Sequence, residues 1–155
     1  MQYFATMNSP LGPVSLSAHE HAITGLTIGQ RASSTTPHPV LTQAMSQLEE
    51  YFAGTRTQFD VPTDATGTPF QEAIWRTLQE IPFGQAMSYQ ELGLAAGVGT
   101  APRAVGGAVG KNPIPIIIPC HRILASNQRI TGYSGGEGVP TKSWLLAHEG
   151  IAHSV

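Results

Sequence analysis

Only one cysteine occurs in the 155 residues, which excludes an internal disulfide and any zinc site built from several thiolates. A reduced, intracellular setting is the natural expectation. Charge is scarce: Asp, Glu, Lys and Arg together make up 12 % of the chain, about half the usual share. No apolar run approaches the roughly 18 residues that a membrane-spanning helix needs. The opening Met1-Gln2-Tyr3-Phe4 has neither the basic region nor the apolar block of a signal peptide. The expected location is therefore the cytoplasm, or the nucleus if the source is eukaryotic. A basic footprint is missing as well. The net charge is −2, which counts against nucleic-acid binding.

That deficit is unevenly placed. Up to Thr100 the basic residues are Arg31, Arg56 and Arg76, with eight of the ten acids. Beyond it stand Arg103, Lys111, Arg122, Arg129 and Lys142 against Glu137 and Glu149. The last third is net positive, so a local basic patch on an acidic chain stands beside the plainer reading of solvated surface charges.

Gly and Pro are plentiful, 17 and 12 residues, and predict turns and short elements. Residues 1–30 alternate in apolar and polar steps around the turn signal Asn8-Ser9-Pro10-Leu11-Gly12-Pro13. Val14–Ala18 and Ala22–Ile28 read as strands of an antiparallel meander. Leu41, Met45, Leu48 and Phe52 recur at helical spacing before Gly54, and Phe59 with Val61 reads as a last strand. His19, His21 and His38 lack the companions that would complete a metal site and read as surface histidines.

Pro62–Gly67 reads as a linker. Thr68-Pro69-Phe70-Gln71 opens a helix with a capping box, its inner stripe being Phe70, Ile74 and Leu78. Ser88-Tyr89-Gln90-Glu91 is a second capping box, for a helix through Ala96 closed by Gly97. Thr100 then reads as the cap of a helix from Ala101 towards Val109. Helix, glycine-containing turn, helix is the pattern of a helix-turn-helix. Ala101, Ala104, Gly106, Gly107 and Ala108 keep the second helix slim, and two glycines cost it about 1 kcal/mol each relative to alanine. That cost fits a helix closely approached by a packed neighbour or a nucleic-acid groove. The last helix reads as Thr141–His148, with Thr141 as cap and Trp144, Leu145 and Ala147 or His148 facing inward.

The stretch Asn112-Pro113-Ile114-Pro115-Ile116-Ile117-Ile118-Pro119-Cys120-His121-Arg122 reads as a buried strand made rigid by prolines. A lone cysteine after three isoleucines reads first as packing. An adjacent histidine and arginine point the other way, because neighbouring cationic or basic groups lower a thiol pKa and favour thiolate. Adjacent side chains on an extended chain diverge, so the pair cooperates only if the backbone turns after Pro119.

Pro-Cys-His-Arg after Asn-Pro and an isoleucine run resembles the active-site signature of the O6-alkylguanine-DNA alkyltransferases, the methylated-DNA–protein-cysteine methyltransferases. The resemblance spans about Thr68 to Gly150, with a weaker match before it. It implies an α+β chain with two domains. Residues 1–64 would form a small antiparallel sheet with a helix, ribonuclease-H-like. Residues 65–155 would form a mostly helical domain with a winged-helix-like helix-turn-helix. Some relatives carry a structural zinc in the first domain; this chain lacks the cysteines, so no metal and no cofactor is expected.

The resemblance also implies roles. Cys120 is the acceptor of the alkyl group, His121 its base through a water, and Glu149 the carboxylate that orients His121. Asn112 braces the active-site turn, and Tyr89 helps rotate the nucleotide, contacts the flipped guanine and protonates it as it leaves. Arg103 fills the gap left in the duplex, with Ala104, Gly106 and Gly107 in the minor groove. Pro119, Ile123, Tyr133 and Ser134 shape the base pocket. The expected partner is double-stranded DNA carrying alkylated guanine, with O4-alkylthymine as a further candidate substrate, and the chain is expected to act as a monomer. The alternatives are a damaged-base reader that removes nothing, which Cys120 disfavours, and a cysteine hydrolase, which draws its histidine from a distant part of the chain.

Overall fold

The computed structural model describes Met1–Val155 and divides into two compact units, Met1–Ala65 and Thr66–Val155. In the first, β1 (Tyr3–Met7), β2 (Val14–Ala18) and β3 (Ile23–Ile28) form an antiparallel sheet in the order β1-β2-β3. Leu16 faces Ala5 on one neighbour and Leu26 on the other, so the buried positions share one face. Helix α1 (Pro39–Phe52) covers it with Leu41, Ala44, Leu48 and Tyr51. Its inner stripe differs from the expected one, for Met45 and Phe52 are only half-buried. His38 is a helix cap, its Nδ1 accepting from the Val40 amide at 3.2 Å. Phe59 and Val61 form no strand. Thr63 alone makes a bridge to Ile23, and the Phe59 ring packs on Tyr51.

In the second unit, α2 (Pro69–Leu78) and α3 (Tyr89–Ala96) both start with complete capping boxes, Thr68 with Gln71 and Ser88 with Glu91. Each satisfies two amide donors that a helix start leaves orphaned. Helix α4 (Pro102–Gly110) begins one residue late, at N-cap Ala101 with no side-chain cap, and Thr100 does not serve. Pro102 supplies the start instead, its ring fixing the first helical φ. Gly97 ends α3 at φ 72°, and a Cβ on Gly93 would lie 2.1 Å from the Gly99 carbonyl oxygen. Both glycines are therefore requirements of the tight α3–α4 turn. Trp75 donates its indole N–H to the Ala108 carbonyl at 2.9 Å, tying α4 to α2.

A short parallel pair, β4 (Met87–Ser88) and β5 (Ile123–Leu124), joins the start of α3 to the segment behind the cysteine. The final helix α5 runs Val139–His148, two residues longer than expected. Gly138 is its N-cap, and Thr141 Oγ1 accepts from the Glu137 amide in the preceding loop. Its inner face is Thr141, Lys142, Leu145 and Leu146; Trp144 is half-buried and stacks on His148. No helix is long and apolar enough to cross a membrane.

Candidate active site

The isoleucine run is not a strand. Residues 113–118 form a compact loop in which the Ile118 amide donates back to the Ile114 carbonyl at 2.9 Å. Three prolines deny the run a ladder, and Ile116 sits at φ 73°. A β-branched residue there is an outlier with a strain cost of roughly 1–3 kcal/mol, so the surroundings must hold it. Asn112 does so. Its Nδ2 donates to the Ile118 carbonyl at 2.8 Å and its Oδ1 accepts from the Ile114 amide at 3.0 Å. The side chain clamps both ends of the loop that delivers Cys120.

After Pro119 the backbone turns: Cys120–Arg122 is one turn of 3-10 helix. That turn answers the geometric objection to adjacent residues working together. His121 and Arg122 both converge on Glu149, at the end of α5. His121 Nε2 lies 2.7 Å from Glu149 Oε2, Arg122 Nε donates to Oε1 at 2.8 Å, and Arg122 Nη2 donates to Oε2 at 3.0 Å. The Gly84 amide adds a donor to Oε1 at 3.2 Å. Arg122 Nη1 donates to the Ile81 carbonyl at 2.6 Å, and the guanidinium lies over the Phe83 ring. All three side chains are buried.

The network assigns the histidine tautomer. A carboxylate only accepts, so Nε2 carries the proton and Nδ1 presents a lone pair. No protein group takes that lone pair. Burial, the largest influence, pulls the His121 pKa below 6.5 against the opposing pull of Glu149, so the ring rests neutral. Such a group is charged more readily in the unfolded chain, so its contribution to stability is complete above about pH 6.5 and is lost as pH falls below that value.

Cys120 departs from expectation. Burial, the largest influence, pushes its thiol above 9.0, outweighing the opposing pull of the neighbouring Asn112 and Tyr133 side chains and of the Lys142 charge. The thiol therefore rests protonated. Arg122 does not serve the sulfur, because its guanidinium is committed to Glu149 and Ile81. The cation that does is Lys142, which sequence reasoning missed. Its Nζ donates to the Ile123 carbonyl at 2.5 Å and the Gly132 carbonyl at 3.4 Å. Burial lowers its pKa to about 8, partly offset by Cys120. The available signal was helical spacing: Lys142, Leu145, Leu146 and Glu149 share the buried face of one helix.

Cys120 sits on the wall of a cavity of about 420 Å³ that Tyr89, Gly106, Thr131, Tyr133, Ser134 and Lys142 help to line. Pro119 and Ile123 are buried and are not among the residues that line it. Ser134 Oγ donates to the Gly110 carbonyl at 3.0 Å, and Tyr89 OH lies 3.0 Å from Thr131 Oγ1. Of the remaining expected residues, Arg103, Ala104 and Gly107 lie on the exposed side of α4, outside the cavity. Arg122 and Lys142 are buried and Glu149 is buried with them, so the exposed charges of the last third are Arg103, Lys111 and Arg129 against Glu137. The exposed cations on or beside α4 are Arg103 and Lys111.

The site thus joins a neutral thiol, a histidine with a free lone pair backed by a carboxylate, and a cavity beside a slim exposed helix. The first unit matches the family model described as the ribonuclease-like domain of 6-O-methylguanine DNA methyltransferase, over residues 2–65. The second matches the DNA binding domain of the same family over residues 69–151. The constitutive methylated-DNA–protein-cysteine methyltransferase of Bacillus subtilis is 39 % identical over 99 % of this chain and 98 % of its own length. The crystal structure of the O6-methylguanine methyltransferase of Mycobacterium tuberculosis is similar at TM-score 0.85 and 40 % identity, over 96 % of this chain and 93 % of that one. A structure of the mycobacterial protein in complex with DNA gives TM-score 0.85 at 42 % identity, over 94 % of this chain and 91 % of that one. The chain belongs to the 6-O-methylguanine DNA methyltransferase family, with the α+β fold expected of it.

Proposed function

We propose that the chain repairs DNA by direct reversal, moving the alkyl group of O6-alkylguanine onto Cys120. The observation that carries this reading is the free Nδ1 lone pair of buried, neutral His121, with Glu149 on its other nitrogen. The Cys120 proton passes through a water to Nδ1, and Glu149 stabilises the imidazolium. The sulfur attacks the saturated carbon on O6: the S–C bond forms, the C–O bond breaks, and the electron pair stays on the guanine. Tyr89 protonates the leaving base. Lys142, Asn112 and Tyr133 support the thiolate in the interval. A thioether is a poor leaving group, so each chain acts once.

The base cannot be reached within a duplex and must be extruded, at an unstacking cost of a few kcal/mol. The exposed face of α4 suits minor-groove insertion, with Arg103 replacing the extruded nucleotide. A Cβ on Gly107 meets nothing within 4 Å. Gly107→Ala should therefore raise the stability of the free protein by up to about 1 kcal/mol through helix propensity. The same methyl thickens the inserted face, so duplex affinity should fall; thermal melts and fluorescence anisotropy read the two effects. With so few exposed cations on this face, the salt dependence of binding should be shallow, a slope of log K against log salt near −2 to −3 at about −0.9 per neutralised phosphate. Binding titrations across a salt series check it.

The deciding experiment follows restored guanine in a duplex carrying O6-methylguanine in excess over protein. The plateau should equal the amount of protein. Continued turnover contradicts the reading, and binding without restoration would leave a damaged-base reader. Alkylated guanine as the substrate, and action as a monomer, are parts of this proposal.

A further inference from the structure

We propose that Thr131 is a positioning residue for the protonation step, acting through Tyr89; this rests on the alkyl-transfer reading above. Tyr89 OH and Thr131 Oγ1 lie 3.0 Å apart, and both residues line the cavity that holds Cys120. A phenol has one proton to give, whereas a threonine hydroxyl both donates and accepts. When Tyr89 directs its proton at a base in the cavity, Thr131 must be the donor in their shared hydrogen bond. The chain then runs from the Thr131 hydroxyl to the Tyr89 oxygen, and from the Tyr89 O–H to the purine. Each bond in such a chain strengthens the next.

Both ends are held. Tyr89 is the first residue of α3, fixed by the Ser88–Glu91 capping box. Thr131 lies between two anchored neighbours: the Ile130 amide donates to the Ser154 carbonyl at 2.9 Å, and the Gly132 carbonyl accepts from Lys142. The same lysine that supports the sulfur thus also holds the segment carrying Thr131. In the chemical step the phenolic O–H bond breaks and an N–H bond forms on the departing guanine. The Thr131 hydroxyl donates to the resulting phenolate until water returns its proton.

The test uses Thr131→Val, which keeps the shape and removes the hydroxyl, beside Thr131→Ser, which keeps the hydroxyl. Two reactions of the full-length protein are timed: methyl transfer from a saturating O6-methylguanine duplex, and alkylation of Cys120 by iodoacetamide, whose iodide leaves without a proton. Thr131→Val should slow methyl transfer about tenfold and leave iodoacetamide alkylation unchanged, and Thr131→Ser should restore most of the transfer rate. Equal transfer by Thr131→Val and wild type overturns the proposal. So does a parallel loss in both reactions, which would mark a general disturbance of the cavity. Absence of transfer by the wild-type chain would instead overturn the alkyl-transfer reading itself.

Discussion

Glu149→Gln should lower stability by about 3–5 kcal/mol and slow alkyl transfer by about 10²–10⁴-fold. The two losses have different origins. Glu149 is the only carboxylate on Arg122, which keeps otherwise the Ile81 carbonyl, so neutralising it leaves a buried guanidinium uncompensated. Breaking one side of a buried ion pair is costly, whereas replacing both sides with apolar groups is often close to neutral. The double variant Glu149→Gln with Arg122→Met should therefore recover much of the stability. It should not recover the rate, because His121 still lacks the carboxylate that fixes its tautomer and receives the imidazolium charge. Denaturant midpoints and single-turnover kinetics on the three proteins separate the effects. A double variant that regains both would reduce Glu149 to a structural counter-ion.

Lys142→Met should separate the same quantities in the opposite sense. Lys142 is buried with its pKa lowered from 10.5 to about 8, which corresponds to roughly 3 kcal/mol of destabilisation of the charged form at neutral pH. The sign is definite: the unfolded chain holds the proton more tightly, so stability rises with pH from about 8 to 10.5 as the penalty is relieved. Methionine removes that penalty but leaves the Ile123 and Gly132 carbonyls without their donor. Stability should consequently change little, or increase, and its rise with pH should disappear. Transfer should slow by about tenfold or more, because the thiolate loses its neighbouring positive charge. In the wild type, transfer should also fall above about pH 8 as the amine loses its proton, and Lys142→Met should lack that alkaline fall. A variant that loses stability but transfers at the wild-type rate would show that the ammonium is a packing device.

The elements that local chemistry decides were legible in the sequence. Thr68 with Gln71 and Ser88 with Glu91 satisfy amides within a few residues of themselves, so their capping boxes could be read without a tertiary structure. Gly97 and the alternation through β2 are equally local. The misreadings share a different cause. The run Ile114–Ile118 is apolar enough for a strand, but its path is decided by the Asn112 clamp and by Ile116 in a left-handed conformation, neither of which periodicity reports. Thr100 and Thr141 have capping chemistry, yet Pro102 and Gly138 decide where those helices begin. At the site, the Cys-His pair was visible as a motif and Glu149 as the family's carboxylate. The division of the two cations was not. Arg122 was read as serving the sulfur and instead holds Glu149, while Lys142, read as surface charge, turns inward beside Cys120. Burial decides both, and burial of a charged side chain is a property of the assembled unit. Burial also reverses the expected shift of the thiol, so the resting sulfur is protonated rather than a standing thiolate.

Peptide mapping by mass spectrometry, after one equivalent of O6-methylguanine duplex has reacted with the chain, tests the central claim most directly. The account predicts a single methyl group on the peptide carrying Cys120, on the sulfur, with the duplex restored in equal amount. A methyl group on any other residue, or a repaired duplex with Cys120 unmodified, would contradict it.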